Sequence, residues 1–383
     1  MAGCGGGSKQ STGDCIMVDV TKSYPIRELI LQDFMDVEYI PLETSDEFLT
    51  QGSVLAIGNN IIVVRNRIND GDIFIFDKIT GKGLKKINRR GQGPEEYTGV
   101  AGIVLDEDIG EIFVNDILTE KLLIYDLDGM FKRSFKHKEG AMYMHIYNFD
   151  RDNLICYDGS FDYDNKGSMY PFLIISKRDG SISKEIQIPF KEKINTRLMV
   201  RDGDMVYSSS PDTYYPIISY FDNWILVEPS SDTIYSYLPD HNITPLIART
   251  PTIQSMNPEV FLFPSIFTNR YYFMGTAKKE YDFTTQQGFP GTDLIYDRQE
   301  NALFEYTVYN DDYVNKTLIS IKPSRPRPVN KDIATWQVLE TYQLVEAYAK
   351  GELKGRLKEI AAELDVEDNP VMMLVKHKKI IND

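Results

Sequence analysis

The sequence predicts an all-β fold, a six-bladed β-propeller, on three observations. Strand-turn-strand segments recur at a nearly fixed spacing, a second strand pair precedes each of them, and a lone strand near the N-terminus has no unit of its own. "GDIFIFDKITGKGLKKI" (71–87), "EKLLIYDLDGMFKRSF" (120–135) and "YPFLIISKRDGSISKEIQI" (170–188) each alternate apolar and polar residues on both sides of a glycine-bearing turn. Their first strands end at Asp77, Asp126 and Ser176, 49 and 50 residues apart. A repeat of about 40 to 50 residues made of short strands is the mark of a propeller, in which no blade can bury both of its faces alone.

The elements follow in chain order. "SVLAIGNNIIVVRN", "GIVLDEDIGEIFVND" and "HIYNFDRDNLICYD" supply the first two strands of three blades, each pair joined by a turn rich in Asn, Asp or Gly. Weaker copies at 218–248 and 265–309 give a fourth and a fifth blade. The sixth draws on both ends of the chain. "DVEYIPLET" (36–44), with "IRELIL" (26–31) beside it, is expected to complete a last blade begun by "KTLISIKPS" (316–324) and "NPVMMLVKH" (369–377). Such a clasp replaces an open sheet edge with a paired one. A helical insertion is expected over about 332–366, where Ala, Leu, Glu and Lys abound and Leu353, Leu357, Ile360 and Leu364 recur at helical spacing. Capping the ring is the role expected of it. The propeller is expected to span 24–383 and a flexible tether 1–23.

"RRGQGPEEYTG" (89–99) decides between a phosphate cradle and a corner between blades. A dinucleotide-binding loop needs a third glycine and a helix starting there, whereas position 96 is Glu and a strand comes next. The stretch is therefore architectural, its glycines expected to allow a left-handed backbone at a tight turn and Tyr97 to pack between blades. "GQGPEEY", "EIFVND" and "YDLDGMF" together resemble an NHL-type propeller repeat. The chain is more similar still to six-bladed β-propeller lipoproteins common in Bacteroidota, which carry a G-x-G-P-x-E-[YF] corner, here Gly91, Gly93, Pro94, Glu96 and Tyr97, and a D-N-P before a final apolar strand, here Asp368, Asn369 and Pro370.

The first residues bear on location. Ala2, Gly3 and Cys4, followed by a Gly/Ser-rich spacer, resemble the end of a bacterial lipoprotein signal, which implies a lipid on Cys4 and a body held at a membrane of the cell envelope by that lipid alone. The spacer "GGGSKQ" has no acids, which favours the periplasmic side over the cell surface.

Composition excludes several functions. With 57 acidic against 42 basic side chains, the net charge of −15 repels nucleic acid. No stretch reaches the ~18 to 20 consecutive apolar residues of a spanning helix. The four histidines (His137, His145, His241, His377) occupy no equivalent blade positions, "DLDG" (126–129) lacks the other ligands of a calcium loop, and no G-x-S-x-G elbow is present. No metal or cofactor is expected. The three cysteines are too few for a disulfide framework, and Cys156 reads as a small buried hydrophobe.

What remains is a binding surface. Loops after the second strand of each blade, and those joining blades, gather on one face of a propeller. They place Asn66, Arg67, Asn115 and Asp116 as hydrogen-bonding candidates and Tyr157, Phe161, Tyr163, Tyr214 and Tyr215 as stacking platforms. The function expected is a non-catalytic binding or assembly module that recognises a peptide, glycan or partner protein. The alternative is a hydrolase or lyase working with carboxylates in the central channel, which requires two acids to converge there.

Overall fold

Strand alternation closes into sheets of four, each packed face to face with the next. The computed structural model describes residues 15–68, 70–161, 168–321 and 331–378. Blade 1 comprises Ser53–Ile57, Ile61–Arg65, Asp72–Asp77 and Gly83–Asn88; blade 2 Gly102–Asp106, Glu111–Asp116, Lys121–Asp126 and Phe131–Lys136; blade 3 Tyr143–Asn148, Asn153–Asp158, Phe172–Ser176 and Ile182–Ile186. Blade 4 comprises Ile217–Tyr220, Asn223–Leu226, Thr233–Tyr237 and Ile243–Thr250, and blade 5 Val260–Phe267, Tyr271–Lys278, Asp293–Asp297 and Ala302–Asn310. All neighbouring strands within these five blades run antiparallel. The ring is six-bladed, as the repeat spacing requires.

Blade 6 is assembled from the two ends of the chain. Its described strands are Ile333–Leu339, Val371–His377 and, from the N-terminus, Met35–Pro41, paired from Met35↔His377 to Pro41↔Val371. The predicted clasp is therefore "DVEYIP". "IRELIL" goes elsewhere: Ile26–Ile30 lies parallel to the last strand of blade 5. Ile16–Asp19, expected within the tether, lies parallel to the last strand of blade 4. Of "KTLISIKPS", the described residues contribute the pair Thr317–Leu318, bonded to Asn310 and Tyr309 of blade 5.

The helical expectation started too early. "IATWQVL" is the strand Ile333–Leu339, whose alternating Ile, Thr and Val suit a pleated sheet, and helix begins only at Thr341. Two short helices follow, Thr341–Ala349 and Gly355–Ala361, divided at Gly351, whose φ of 69° ends the first. Leu353, Leu357 and Ile360 are buried with Met35, Tyr39 and Met373, and Leu364 packs against them, so the helices cap blade 6 beside its N-terminal strand. Among the described residues no helix is long and apolar enough to cross a membrane.

The interfaces between blades are filled by hydrophobic cores, one of which runs continuously through blades 3, 4 and 5. Tyr97, wholly buried, packs with Val63 and Ile75 of blade 1 and Ile103 and Val114 of blade 2, while Phe113, Leu154 and Leu173 fill the next gap. The Tyr97 hydroxyl donates to Gly71 O at 2.6 Å and accepts from Arg89 N at 2.9 Å, which pins the corner between blades. The corner's glycines have a different cause from the one expected. Neither Gly91 nor Gly93 has a positive φ; a Cβ at Gly91 would sit 1.9 Å from Glu96 Oε2, which accepts from Gly93 N at 2.8 Å. Glycine here leaves room for the close approach of the Glu96 carboxylate.

The outer edges are handled in two ways. Blades 1 to 3 end on strands bearing Lys85 and Lys86, Lys132 and Lys136, and Lys184, which deter pairing with another sheet. Blades 4 and 5 end on "ITPLIART" and "ALFEYTVYN", without lysine, and these are the two edges that the N-terminal segments cover.

Candidate functional site

The first strands of blades 1, 2 and 3 face one another around the axis, and at the end where they begin they leave a cavity of ≈ 330 Å³. Ser53–Leu55, Ala101–Val104 and Met144–Tyr147 form its walls, with Arg65, Asn115, Ile117 and Tyr215. It opens on the face that carries the loops between second and third strands. A ligand site of this kind combines apolar walls with a few placed polar groups.

Register explains which polar groups arrive there. Arg65 pairs with Ser53, Asn115 with Gly102 and Tyr157 with His145, so the three hold the same position at the end of a second strand, and the first two line the cavity. The next residues, Asn66, Asp116 and Asp158, are also equivalent and serve the scaffold. Each accepts a hydrogen bond from the loop entering its own blade: Asn66 Oδ1 from Gln51 N at 3.4 Å, Asp116 Oδ2 from Thr98 N at 2.7 Å, Asp158 Oδ1 from Met142 N at 3.0 Å. Asp116 is wholly buried and also takes the Thr98 hydroxyl. Two of the anticipated surface groups are thus joints within blades.

The remaining candidates divide similarly. Arg67 is exposed and forms an ion pair with Glu340, which ties blade 1 to blade 6. Asn115 is buried; its Nδ2 donates to Tyr143 O at 2.8 Å and its Oδ1 lies 3.0 Å from His137 Nε2. Tyr157 and Tyr214 are buried in the core that blades 3, 4 and 5 share, against Phe172 and Phe263 respectively, so they are packing residues rather than an open platform. Tyr215 is also buried and lines the cavity. Phe161 is half-buried, with Lys193 Nζ 5.3 Å from its ring centre. Tyr163 and Cys4 lie outside the described residues. Arg65 is not among the residues expected from the sequence; strand pairing places it, and not Asn66, at the position equivalent to Asn115, and a single residue of register decides between them.

His137 holds Asn115 in place and makes the site sensitive to acid. Its ring stacks on Tyr143 with centroids 4.4 Å apart, and burial pushes its pKa down from 6.5 to about 4. The imidazole is therefore neutral at pH 7, and its Nε2–H donates to Asn115 Oδ1. Below pH 6.5 the unfolded chain takes up a proton that the folded chain refuses until about pH 4, so this contribution is intact above pH 6.5 and is lost on acidification across that window. The loss should total about 3 kcal/mol. His377, also lowered by burial, acts in the same sense. Denaturant unfolding between pH 7 and pH 4.5 should show the decline, and His137→Phe should flatten it; an unchanged slope would contradict the assignment.

The opposite mouth of the channel is acidic. A recess of ≈ 280 Å³ there is lined by Gly58, Asn59, Asp106, Glu107, Asp108, Asn148, Lys331 and Asp332, among others. Asp106 is paired with Lys177 at 2.7 Å, and Glu107 accepts from the backbone of Asn60 and Ile61 at 2.9 and 3.1 Å. Among the described residues no group of three or more His, Cys, Asp or Glu is placed to hold a metal ion.

A family model for a six-bladed β-propeller, DUF5128, matches residues 7–324. The chain belongs to this family. Among solved structures, the DUF5128 chain is similar to a Bacteroides fragilis protein expected to be exported, with a TM-score of 0.61 at 16% identity over 96% of this chain and 100% of that one. A member of the DUF4221 family from Bacteroides vulgatus matches with a TM-score of 0.47 at 12% identity, over 90% of this chain and 98% of its own. At 16% identity the likeness to the Bacteroides fragilis protein concerns the fold. The sequence matches no curated protein.

Proposed function

We propose that this DUF5128 propeller is a non-catalytic binding module of the bacterial cell envelope that recognises a peptide, glycan or protein partner at the mouth of the upper cavity. The observation that carries the reading is the cavity's lining: apolar strand residues, a few polar groups at register-equivalent positions, and no carboxylate among the described residues that form it. A lipid on Cys4, as in the propeller lipoproteins that the sequence resembles, would hold the ring at a membrane, and the periplasmic side fits the spacer. The likeness to a Bacteroides protein expected to be exported agrees with that address.

The hydrolase or lyase reading would place its chemistry at the lower recess, where the acids are. Asp106 and Glu107 are already committed there to Lys177 and to backbone amides, and Asp108 and Asp332 are the other acids that line it.

Gly102 provides the test. A Cβ there meets no atom within 4 Å, so Gly102→Trp fills the cavity without disturbing the strand. Binding of the wild-type chain to a panel of peptides and oligosaccharides should be abolished by this variant at an unchanged melting temperature. If the variant bound every panel ligand as the wild type does, or if the wild type bound none, the reading would fail.

A further inference from the structure

Among its described residues the upper cavity contains a positive charge with no carboxylate in an ion pair to it. Arg65 is half-buried; its Nη1 makes one long contact, to Asn66 O at 3.5 Å, and its buried Nε has no partner. Asp70 is the acid whose charge reaches it, yet Asp70 Oδ2 accepts from Asn66 Nδ2 at 2.8 Å and Oδ1 from Asp72 N at 3.0 Å. No ion pair to Arg65 exists among the described residues. Desolvation lowers its pKa, but a guanidinium stays charged at any pH at which the chain is folded. A charge kept under-solvated and under-paired is relieved best by a planar anion that takes two parallel N–H donors.

The surroundings narrow that anion. Arg65 is the only Lys or Arg among the described residues that line the cavity, which suits a single negative charge better than a phosphate of about two. Val54, Ile103, Val104 and Ile146 supply apolar wall, with Tyr147 and Tyr215 beside them. At ≈ 330 Å³ the cavity stands at the small end of ligand sites, which run from about 300 to 1,000 Å³. It has room for one terminal group and no extended chain.

We propose that the cavity binds a terminal carboxylate on an apolar body, with the carboxylate on Arg65 and the body along Ile103, Val104 and Ile146. A hydrophobic peptide C-terminus and a free arylalkanoic acid share this chemistry. The proposal rests on the reading of the cavity as a binding site and adds the class of ligand.

The experiment is titration calorimetry on the full chain with three probes: N-acetyl-Leu-Phe with a free C-terminus, the same dipeptide amidated, and 3-phenylpropionate. The wild type should bind a free acid at least about tenfold more tightly than the amide, the scale of a charged hydrogen-bonded pair. Arg65→Gln should remove that preference and leave the amide's affinity unchanged; Arg65→Lys should retain part of it, and guards against a Gln variant that fails to fold. Binding of the dipeptide acid alone would assign a peptide C-terminus, and binding of phenylpropionate alone a free acid; both outcomes support the proposal. Equal binding of acid and amide by the wild type, or an acid preference that survives Arg65→Gln, would overturn the carboxylate assignment while leaving the cavity a binding site. Failure of all three probes would overturn it too, and the wider panel with Gly102→Trp then decides the reading beneath it.

Discussion

Asn369→Ala should lower the stability of the chain by about 4 kcal/mol, because it opens the joint that closes the ring. The Asn369 side chain is almost completely buried, and three of its bonds reach the N-terminal segment: Nδ2 donates to Glu43 O at 2.6 Å and to Phe48 O at 2.5 Å, and Oδ1 accepts from Thr50 N at 2.9 Å. Its backbone is held as well, the N–H by Thr44 Oγ1 and the carbonyl by the Thr341 hydroxyl, both at 2.8 Å. Truncation leaves Thr50 N–H and two carbonyls with no partner, each costing about 1 to 3 kcal/mol when water cannot replace it. Asn369→Asp should be at least as harmful, since a carboxylate would face two carbonyl oxygens. Chemical denaturation of both variants checks this; a loss below about 1 kcal/mol in each would mean that the clasp does not depend on this residue.

The second large effect is expected from Asp106→Ala, at about 3 to 5 kcal/mol. Lys177 and Asp106 are both about 95% buried, on blades 3 and 2, with Nζ 2.7 Å from Oδ2. Nζ also donates to Asp150 O at 2.5 Å and Arg151 O at 3.2 Å, so its position is fixed when the carboxylate is removed. An ammonium then remains buried with carbonyls alone. The paired replacement Asp106→Leu with Lys177→Met should recover most of the loss, because two buried charges repay little more than their own desolvation. Denaturation midpoints of the three proteins provide the measurement, and a double variant no better than Asp106→Ala would refute the argument.

The repeat made the ring legible. Equivalent turns after Asp77, Asp126 and Ser176 gave three blades and their order, and the unassigned "DVEYIP" gave the closure. The helical insertion was placed too early because Ala, Leu, Glu and Lys dominate a window that also includes "IATWQVL", where composition outweighs alternation. "IRELIL" could not be assigned to blade 5 from the sequence, since an added parallel strand leaves no turn to mark it. The site was harder to read. A side chain at the end of a strand points into the channel or back into the scaffold according to a single residue of register, which is why Asn115 lines the cavity while Asp116 secures Thr98. Aromatic loops suggested an exposed platform, yet Tyr157 and Tyr214 fill the gap between blades.

The N-terminal strap has a consequence for the order of assembly. Its three segments, Ile16–Asp19, Ile26–Ile30 and Met35–Pro41, attach to blades 4, 5 and 6 in the order in which those blades leave the ribosome. Each newly made rim can therefore be covered as it emerges by a stretch synthesised long before and still waiting for it. The leading end acts as a selvedge sewn on row by row, and the last stitch cannot be tied until Val371–His377 has been made.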